Sequence, residues 1–171
     1  MELFDLYDKE GNLLNKTMER GSTNQKGEYH LVVHIWIKNS EGKYLMQQRN
    51  KESDLIPYQW ASTGGAVTAG EDSITGAIRE TTEEIGITFD KDDFIFLQRF
   101  YSDTPLTNYM TDLYIIKKDV LIKDLKLDIN EVKQVKYFSL EEYKELVQNK
   151  MAWEYEEMVS RHGYYKALEK S

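Results

Sequence analysis

The alternation of apolar and polar stretches along the chain predicts a sheet built from several strands. Five stretches are rich in apolar, β-branched or aromatic residues and are bounded by turn residues: 29–37, 44–48, 94–101, 108–117 and 133–138. The first is almost continuously apolar, which is typical of a central strand covered on both faces. The polar residues Asn39 to Gly42 separate it from the second stretch and predict a hairpin turn.

The two ends of the chain predict additions to this sheet. Residues 1–28 contain two short apolar runs around the turn Lys9 to Asn12, followed by a polar loop. They therefore predict a hairpin and loop extension that covers one sheet edge. Ser139 and Glu142 have the spacing of a capping box and predict the first of the C-terminal helices, which we assign to residues 140–171.

A stripe of apolar and aromatic residues follows at helical spacing. Its members recur at steps of four and three: Met151, Tyr155, Met158, His162 and Tyr165. This spacing predicts an amphipathic helix that is interrupted or ends near Gly163. The stripe packs on the domain or forms a homodimer contact, and the sequence leaves both alternatives open.

Between the strands, residues 65–87 show helical periodicity. Asp72 or Ser73 can cap the first backbone N–H groups of a helix, and Gly86 predicts its end. At about 100° per residue, such a helix turns one stripe towards the core and the opposite stripe towards solvent. The inward stripe consists of Ile74, Ile78, Thr81 and Ile85, and the outward stripe of Glu80, Glu83 and Glu84.

The composition agrees with a single domain that spans residues 1–171. A chain of 171 residues with 40% hydrophobic residues can bury a core. The absence of cysteine excludes disulfides and a thiol nucleophile and favours the reducing cytoplasm. We find no leader and no apolar run near the roughly 20 residues of a membrane span. The net charge of −8 disfavours nucleic-acid polymers and anionic membranes as partners.

The acidic helix belongs to a longer pattern of fixed residues. In chain order these are Gly65, Glu71, Arg79, Glu80, Glu83, Glu84 and Gly86. A solvated acidic face is the usual explanation of clustered glutamates. Seven identities at these spacings, however, arise by chance on the order of once in 10⁸ starting positions. The pattern resembles the signature of the Nudix hydrolases, with Ile87 in the last aliphatic place and Thr81 where a bulky apolar residue is usual.

The resemblance extends over about residues 28–140 and includes Pro57, Trp60 and the Gly64–Gly65 pair before the signature. It implies the Nudix fold, a mixed β-sheet sandwiched between helices, which agrees with the α/β or α+β class that the periodicity predicts. It also implies metal-dependent chemistry on a diphosphate linkage and leaves the substrate open.

Hydrolysis of a diphosphate by such a site needs Mg²⁺ or Mn²⁺, whose preferred ligands are carboxylate and carbonyl oxygens. The resemblance implies that Glu80, Glu83 and Glu84 bind the cation. The carbonyl of Gly64 is a further candidate ligand, since a glycine lets the backbone approach an ion closely.

Other signature residues are expected to support these ligands. Arg79 orients a signature glutamate through a charge-assisted hydrogen bond. Three residues support the site structurally: Gly65, Glu71 and Gly86. The general base is Glu80 or a loop acid before the last strand, for which Glu131 fits best and Asp128 second. An exposed loop acid without a catalytic role is an equal alternative.

His30 and His34 are four residues apart on one predicted strand and therefore point to the same face. Each is more commonly a packed histidine than a metal ligand. Isopentenyl diphosphate isomerases share the Nudix fold and keep a metal-binding histidine where His30 stands. Their active-site cysteine and second histidine have no counterpart in residues 60–65 of this chain. Within these residues, Trp60 is predicted to be a core or loop anchor rather than a base-stacking platform.

The sequence therefore favours a pyrophosphohydrolase that cleaves a nucleoside diphosphate derivative or a related small organic diphosphate. The alternatives are an isopentenyl diphosphate isomerase-like enzyme and a non-catalytic nucleotide-sensing Nudix domain. We expect specificity to come from the loops at residues 102–108 and 21–27. Arg99, Tyr101 and Tyr109 either face the ligand or are ordinary surface residues.

Overall fold

The computed structural model describes residues 1–153 and 163–171. Within these residues the strands are β1 Leu3–Tyr7, β2 Leu13–Glu19, β3 His30–Lys38, β4 Tyr44–Arg49, β5 Trp60–Ala61, β6 Thr63–Ala66, β7 Ile95–Ser102, β8 Tyr109–Lys117 and β9 Val132–Phe138. The α-helices of the same residues are α1 Ser73–Ile85, α2 Leu140–Gln148 and α3 Tyr164–Glu169. No helix in this described part of the chain is long and apolar enough to cross a membrane.

Among the described residues, seven strands form one mixed sheet with the order β5-β4-β3-β8-β7. In addition, β6 pairs with β3, and β9 pairs with β4. The pairing of β3 with β8 is parallel, whereas the other pairings in this sheet are antiparallel. The near-continuous apolar run of β3 therefore forms a central strand, as predicted.

Helices cover both faces of this sheet. On one face, Val33 of β3 belongs to the same buried cluster as Ile85 of α1. On the other face, Trp36 of β3 packs with Tyr143 of α2 and Tyr164 of α3. The structure thus confirms the predicted mixed sheet sandwiched between helices.

The predicted N-terminal hairpin is present as a separate sheet of β1 and β2. Phe4, Leu6 and Met18 form a small buried cluster beneath it. Tyr7 and Tyr29 exchange two backbone hydrogen bonds of 2.8 and 2.9 Å, which attach the hairpin next to the start of β3.

The signature helix α1 begins and ends where the sequence predicts. The Asp72 carboxylate accepts a hydrogen bond of 2.9 Å from the Thr75 N–H, and Gly86 ends the helix with a φ of 75°. Thr81 is fully buried, and its hydroxyl donates to the Ile78 carbonyl at 3.0 Å. Its polar group is therefore satisfied within the helix, so this departure from the signature is compatible with the core.

The C-terminal segment differs from the prediction at its start. The capping box of Ser139 and Glu142 begins α2 as predicted. Residues Met151 to Trp153, however, run beside Trp60 and exchange backbone hydrogen bonds of 2.8 Å with it, so they are not helical. Trp60 is only 9% exposed, which confirms its interpretation as a core anchor. The other stripe residues lie outside the described part of the chain: Tyr155, Met158 and His162.

Candidate functional site

A cavity of about 570 Å³ lies between α1, strands β3, β4 and β6, and the loop before β9. Its lining includes the acids predicted on the helix and in the loop, together with the predicted glycine: Glu80, Glu83, Glu84, Asp128, Glu131 and Gly64. The fold thus brings together candidates that are far apart in the sequence.

The helical periodicity predicts that Glu84 faces solvent. In the structure, however, Glu84 is buried and only 9% exposed. The side-chain amide of Gln47 donates to one of its carboxylate oxygens, and the Gly64 N–H donates to the other at 3.2 Å. The prediction is wrong because it treats the sheet as uniformly apolar. The donors on β4 and β6 allow a carboxylate to pack against the strands.

Glu80 is also turned inward, with a side chain that is 13% exposed. Its carboxylate lies against Gly65, where a Cβ atom would come within 2.6 Å of a Glu80 oxygen. Glu83 is the outer acid, with a side chain that is 58% exposed. The outward stripe predicted for three glutamates is therefore correct for Glu83 alone.

The two inner carboxylates, Glu80 and Glu84, influence each other's ionisation. Burial raises the pKa of Glu84 to about 8; the hydrogen bond from Gln47 opposes this shift, and the negative charge of Glu80 adds to it. Burial likewise raises the pKa of Glu80, although Arg79 opposes this shift. Such a pair either holds a proton or needs more positive charge before both acids can ionise.

Arg79 joins the acids to the turn before the helix. Its Nε donates to both carboxylate oxygens of Glu71, at 3.0 and 3.1 Å. Its Nη1 donates to Glu80 at 2.9 Å and to Glu83 at 3.3 Å, and its Nη2 donates to the Ala66 carbonyl at 3.1 Å. The structure therefore contains the predicted hydrogen bond between Arg79 and a signature glutamate.

The pairing of β6 with β3 is by itself a reason for glycine at position 64. A Cβ atom there would lie 2.1 Å from the carbonyl oxygen of Val33 on the paired strand. Whether the Gly64 carbonyl also binds an ion, as the sequence suggested, stays a prediction. Gly86 is similarly enclosed, since its added Cβ would come within 2.6 Å of Lys126.

Both loop acids reach the cavity. Glu131 forms an ion pair of 2.9 Å with Lys51. Asp128 follows a segment that is tied to α1, because its N–H donates to the backbone carbonyl of Glu84 at 3.1 Å. The contacts do not distinguish Glu131 from Asp128, so the choice between them stays a prediction.

The donor set fits a hard divalent cation. In residues 1–153 and 163–171, no three His, Asp or Glu side chains already converge on a common point, since Arg79 and Gln47 engage the glutamate oxygens. The oxygen donors are nevertheless of the type that Mg²⁺ and Mn²⁺ prefer. Burial raises the pKa values of Glu80 and Glu84 although Arg79 lies beside Glu80, and a divalent cation would add positive charge that favours the ionised carboxylates.

The two candidate histidines have different surroundings. His30 is stacked on Phe4 of the hairpin, at 5.2 Å between ring centroids, and it does not line the cavity. Burial lowers the pKa of His30 to about 4. His34 does line the cavity, and its Nδ1 lies 2.9 Å from the hydroxyl of Tyr164.

The two loops expected to determine specificity, residues 21–27 and 102–108, contact each other and lie outside the carboxylate cavity. Asn24 and Asn108 join them through hydrogen bonds of 2.8 and 2.7 Å, and neither loop lines the carboxylate cavity. Arg99 does not line the carboxylate cavity either, and it forms an ion pair with buried Asp112. The role of these loops and of Arg99 in specificity therefore stays a prediction.

Three basic residues that the sequence analysis missed line the cavity instead: Arg20, Arg49 and Lys51. Arg49 pairs with Asp54 at 2.8 Å and lies over the ring of Trp153 at 3.7 Å. The available signal was the basic end of β4, where Arg49 is the last residue of the strand and Lys51 stands two positions later. Arg20 reaches the cavity from the N-terminal hairpin, a contact that residue order alone does not indicate.

Comparison with known proteins identifies relatives of this chain. The model of the NUDIX domain family matches residues 28–161. An uncharacterized Nudix hydrolase of Listeria innocua is 35% identical over 147 residues, which cover 85% of each chain. The isopentenyl-diphosphate delta-isomerase of Schizosaccharomyces pombe is 27% identical over 141 residues, which cover 71% of this chain and 61% of the isomerase.

Among solved structures, a crystal structure of a protein from Deinococcus radiodurans has a similar fold. Its TM-score is 0.71 at 20% sequence identity, and the match covers 99% of this chain and 98% of the other. This similarity supports the fold, while the family match and the Listeria relative support membership of the family. The chain therefore belongs to the NUDIX family and is a Nudix hydrolase.

Proposed function

We propose that this Nudix hydrolase uses Mg²⁺ or Mn²⁺ to cleave the diphosphate linkage of a nucleoside diphosphate derivative or a related small organic diphosphate. The observation that carries the proposal is the buried pair of Glu80 and Glu84 in a cavity that also presents basic side chains. Carboxylates suit a divalent cation, and the Arg20, Arg49 and Lys51 side chains suit the remaining phosphoryl oxygens.

Each residue has a distinct role in this proposal. The cation ligands are the three signature glutamates and a backbone carbonyl: Glu80, Glu83, Glu84 and Gly64. When bound, a divalent cation neutralises charge on phosphoryl oxygens and lowers the pKa of water. Either Glu80 or Glu131 accepts the proton of the attacking water. Arg79 is a positioning residue, because it holds Glu80 and Glu83 while its other donors are fixed by Glu71 and Ala66.

Residues 1–171 form one domain in this proposal, with the extension 1–28 and the C-terminal helices 140–171. Its partner is a small-molecule diphosphate rather than a nucleic-acid polymer or a membrane, because the chain has a net charge of −8. The homodimer contact and the cytoplasmic location remain predictions.

An isomerase-like reaction is the second candidate because the chain is similar to an isopentenyl-diphosphate isomerase. Its chemistry, as the resemblance implies, uses a cysteine, and this chain has none. A nucleotide-sensing domain without turnover is the third candidate. The complete set of signature glutamates favours hydrolysis over sensing, because binding alone does not require the whole set.

A substrate panel tests the proposal. Nucleotide sugars, dinucleotides, oxidised nucleotides and prenyl diphosphates are incubated with Mg²⁺, with Mn²⁺ or with a chelator. Substrates and products are separated by chromatography and identified by mass spectrometry. We expect cleavage of at least one nucleotide class and its loss in the chelator. Saturable binding without products would favour the sensing domain. Conversion of isopentenyl diphosphate without phosphate release would favour the isomerase.

Two neighbouring glycines of β6, Gly64 and Gly65, have different surroundings. In Gly65→Ala the new methyl group meets the flexible end of Glu80, so we expect displacement of that carboxylate and less than about 0.5 kcal/mol loss of unfolding free energy. In the control Gly64→Ala the methyl group meets the Val33 backbone, which should cost about 2 kcal/mol. Urea unfolding measures the stability of each variant, and Mn²⁺ titration measures the effect on the carboxylate site. Equal destabilisation of the two variants would contradict the expected difference between the Glu80 contact at Gly65 and the Val33 contact at Gly64.

A further inference from the structure

His34 lines the carboxylate cavity, and the roles assigned above do not use it. It lies on β3 directly opposite Gly64 of β6, whose N–H binds Glu84. The Nδ1 atom of His34 belongs to a buried hydrogen-bond network with Tyr164 and Trp36. The hydroxyl of Tyr164 lies 2.9 Å from Nδ1, and Trp36 Nε1 donates to the same hydroxyl at 2.8 Å. Both Tyr164 and Trp36 are fully buried.

The chemistry of these three groups gives the contact a direction. An indole N–H can only donate, so the Tyr164 oxygen accepts the hydrogen bond from Trp36. The Tyr164 hydroxyl can donate its own hydrogen to the Nδ1 lone pair of His34 at 2.9 Å, and we take this direction. A neutral imidazole carries a single hydrogen on nitrogen, so acceptance at Nδ1 fixes that hydrogen on Nε2.

We propose that His34 is a neutral hydrogen-bond donor that uses its Nε2–H to bind a phosphoryl oxygen of the substrate, and that Tyr164 and Trp36 position it in this tautomer. His34 is then not a metal ligand, because a protonated ring nitrogen has no lone pair to give. The inference rests on the proposed function, since it takes a diphosphate as the ligand. It also gives the C-terminal helix α3 a role in the site, because α3 contributes Tyr164.

The tautomer is tested by long-range ¹H–¹⁵N NMR of the wild-type protein labelled on histidine. The spectrum is recorded without substrate near pH 8.5, about two units above the ordinary imidazole pKa. The chain has three histidines, and loss of one signal set in His34→Gln assigns His34. We expect the Nε2–H pattern in the wild type. An Nδ1–H pattern for His34 in the wild type would overturn the inference.

Tyr164→Phe tests the positioning role because it removes the hydroxyl and keeps the buried ring. We expect the His34 signals to move towards a mixture of tautomers. Tyr165→Phe is the matched control, because it removes a hydroxyl from the adjacent residue, whose ring lies under Lys144 at 5.0 Å. Unchanged His34 signals in Tyr164→Phe, or the same change in both variants, would contradict the positioning role.

Binding of imidodiphosphate, a diphosphate that resists hydrolysis, tests the ligand in the presence of saturating Mn²⁺. We expect His34→Ala to weaken its binding about 10-fold and His34→Gln, whose amide can also donate, to weaken it less than about 3-fold. Mn²⁺ affinity measured alone should stay within about 2-fold of the wild type. A 10-fold loss of Mn²⁺ affinity would identify His34 as a metal ligand. An inactive substrate panel would refute the proposed hydrolysis but leave these NMR and binding results to stand on their own.

Discussion

Glu84→Gln is expected to lower Mg²⁺-dependent turnover at least about 100-fold while the protein stays folded. The variant loses a carboxylate charge at the innermost position of the cavity, where Gln47 and Gly64 fix both oxygens. A cation site supplies several kcal/mol of charge stabilisation in the transition state, and about 3 kcal/mol corresponds to a 100-fold change in rate. The measurement is kcat on the best substrate of the panel, with circular dichroism to verify the fold.

Glu83→Gln is the matched control because it makes the same chemical change on the same helix at a side chain that is 58% exposed. Solvent screens this outer acid, so we expect a loss of turnover at least about 10-fold smaller than in Glu84→Gln. Turnover like that of the wild type in Glu84→Gln would refute the assignment of this acid to the cation. Equal losses of turnover in both variants would show that the burial of a glutamate does not determine its importance for turnover.

The stability of metal-free Glu84→Gln provides an independent check on the buried acid. Burial raises the pKa of Glu84 from 4.5 to about 8. The folded chain therefore keeps a proton that the unfolded chain releases, so this contribution to stability is present below about pH 4.5 and is lost as pH rises to about 8. Glutamine does not titrate. In the presence of a chelator we expect the variant to gain about 3 to 4 kcal/mol of unfolding free energy over the wild type between pH 5 and pH 8, measured by urea unfolding.

Local signals in the sequence were enough to predict the frame of this site. Asp72 and Gly86 determine the ends of α1 through groups only a few residues away, so the helix could be located from the residue order. The apolar run of β3 likewise predicted a central strand, because a strand covered on both faces needs apolar residues at successive positions.

The inward turn of Glu84 could not be predicted in the same way. Its donors, Gln47 and the N–H of Gly64, come from two strands, and only the sheet register brings them to α1. Helical periodicity assigns residues to faces but does not show whether the opposing surface offers hydrogen bonds. Arg20 was missed for a similar reason, since it reaches the cavity only because the hairpin folds beside β3.

Arg99 illustrates a signal that was present but not used. Its partner Asp112 stands inside the predominantly apolar strand β8, and a charged group at such a position needs a partner when it is buried. In the structure Asp112 is 1% exposed and accepts hydrogen bonds of 2.6 and 2.9 Å from Arg99. Ser73, the first residue of α1, donates to the same carboxylate at 2.6 Å. The pair therefore connects the sheet to the start of the signature helix.

Asp112→Asn is expected to lower the free energy of unfolding by about 3 kcal/mol. The amide cannot accept at both positions, so one N–H group would face a donor of Arg99 or Ser73, and the Arg99 charge would lose its partner. Urea unfolding in a chelator measures the loss independently of the cation site. Glu141→Gln is the control: its side chain is 82% exposed and pairs with Lys144 at 3.2 Å, so we expect a change below about 0.5 kcal/mol.

The double variant Arg99→Met with Asp112→Leu distinguishes loss of the ion pair from loss of packing. Removing both charges leaves no uncompensated ion, so we expect it to recover at least half of the stability lost in Asp112→Asn. A loss below 1 kcal/mol in Asp112→Asn would mean that water or a rearranged Arg99 compensates the missing charge. Full recovery of stability together with reduced turnover would instead indicate that the Ser73 hydrogen bond to Asp112 helps to position the helix that carries Glu80 and Glu84.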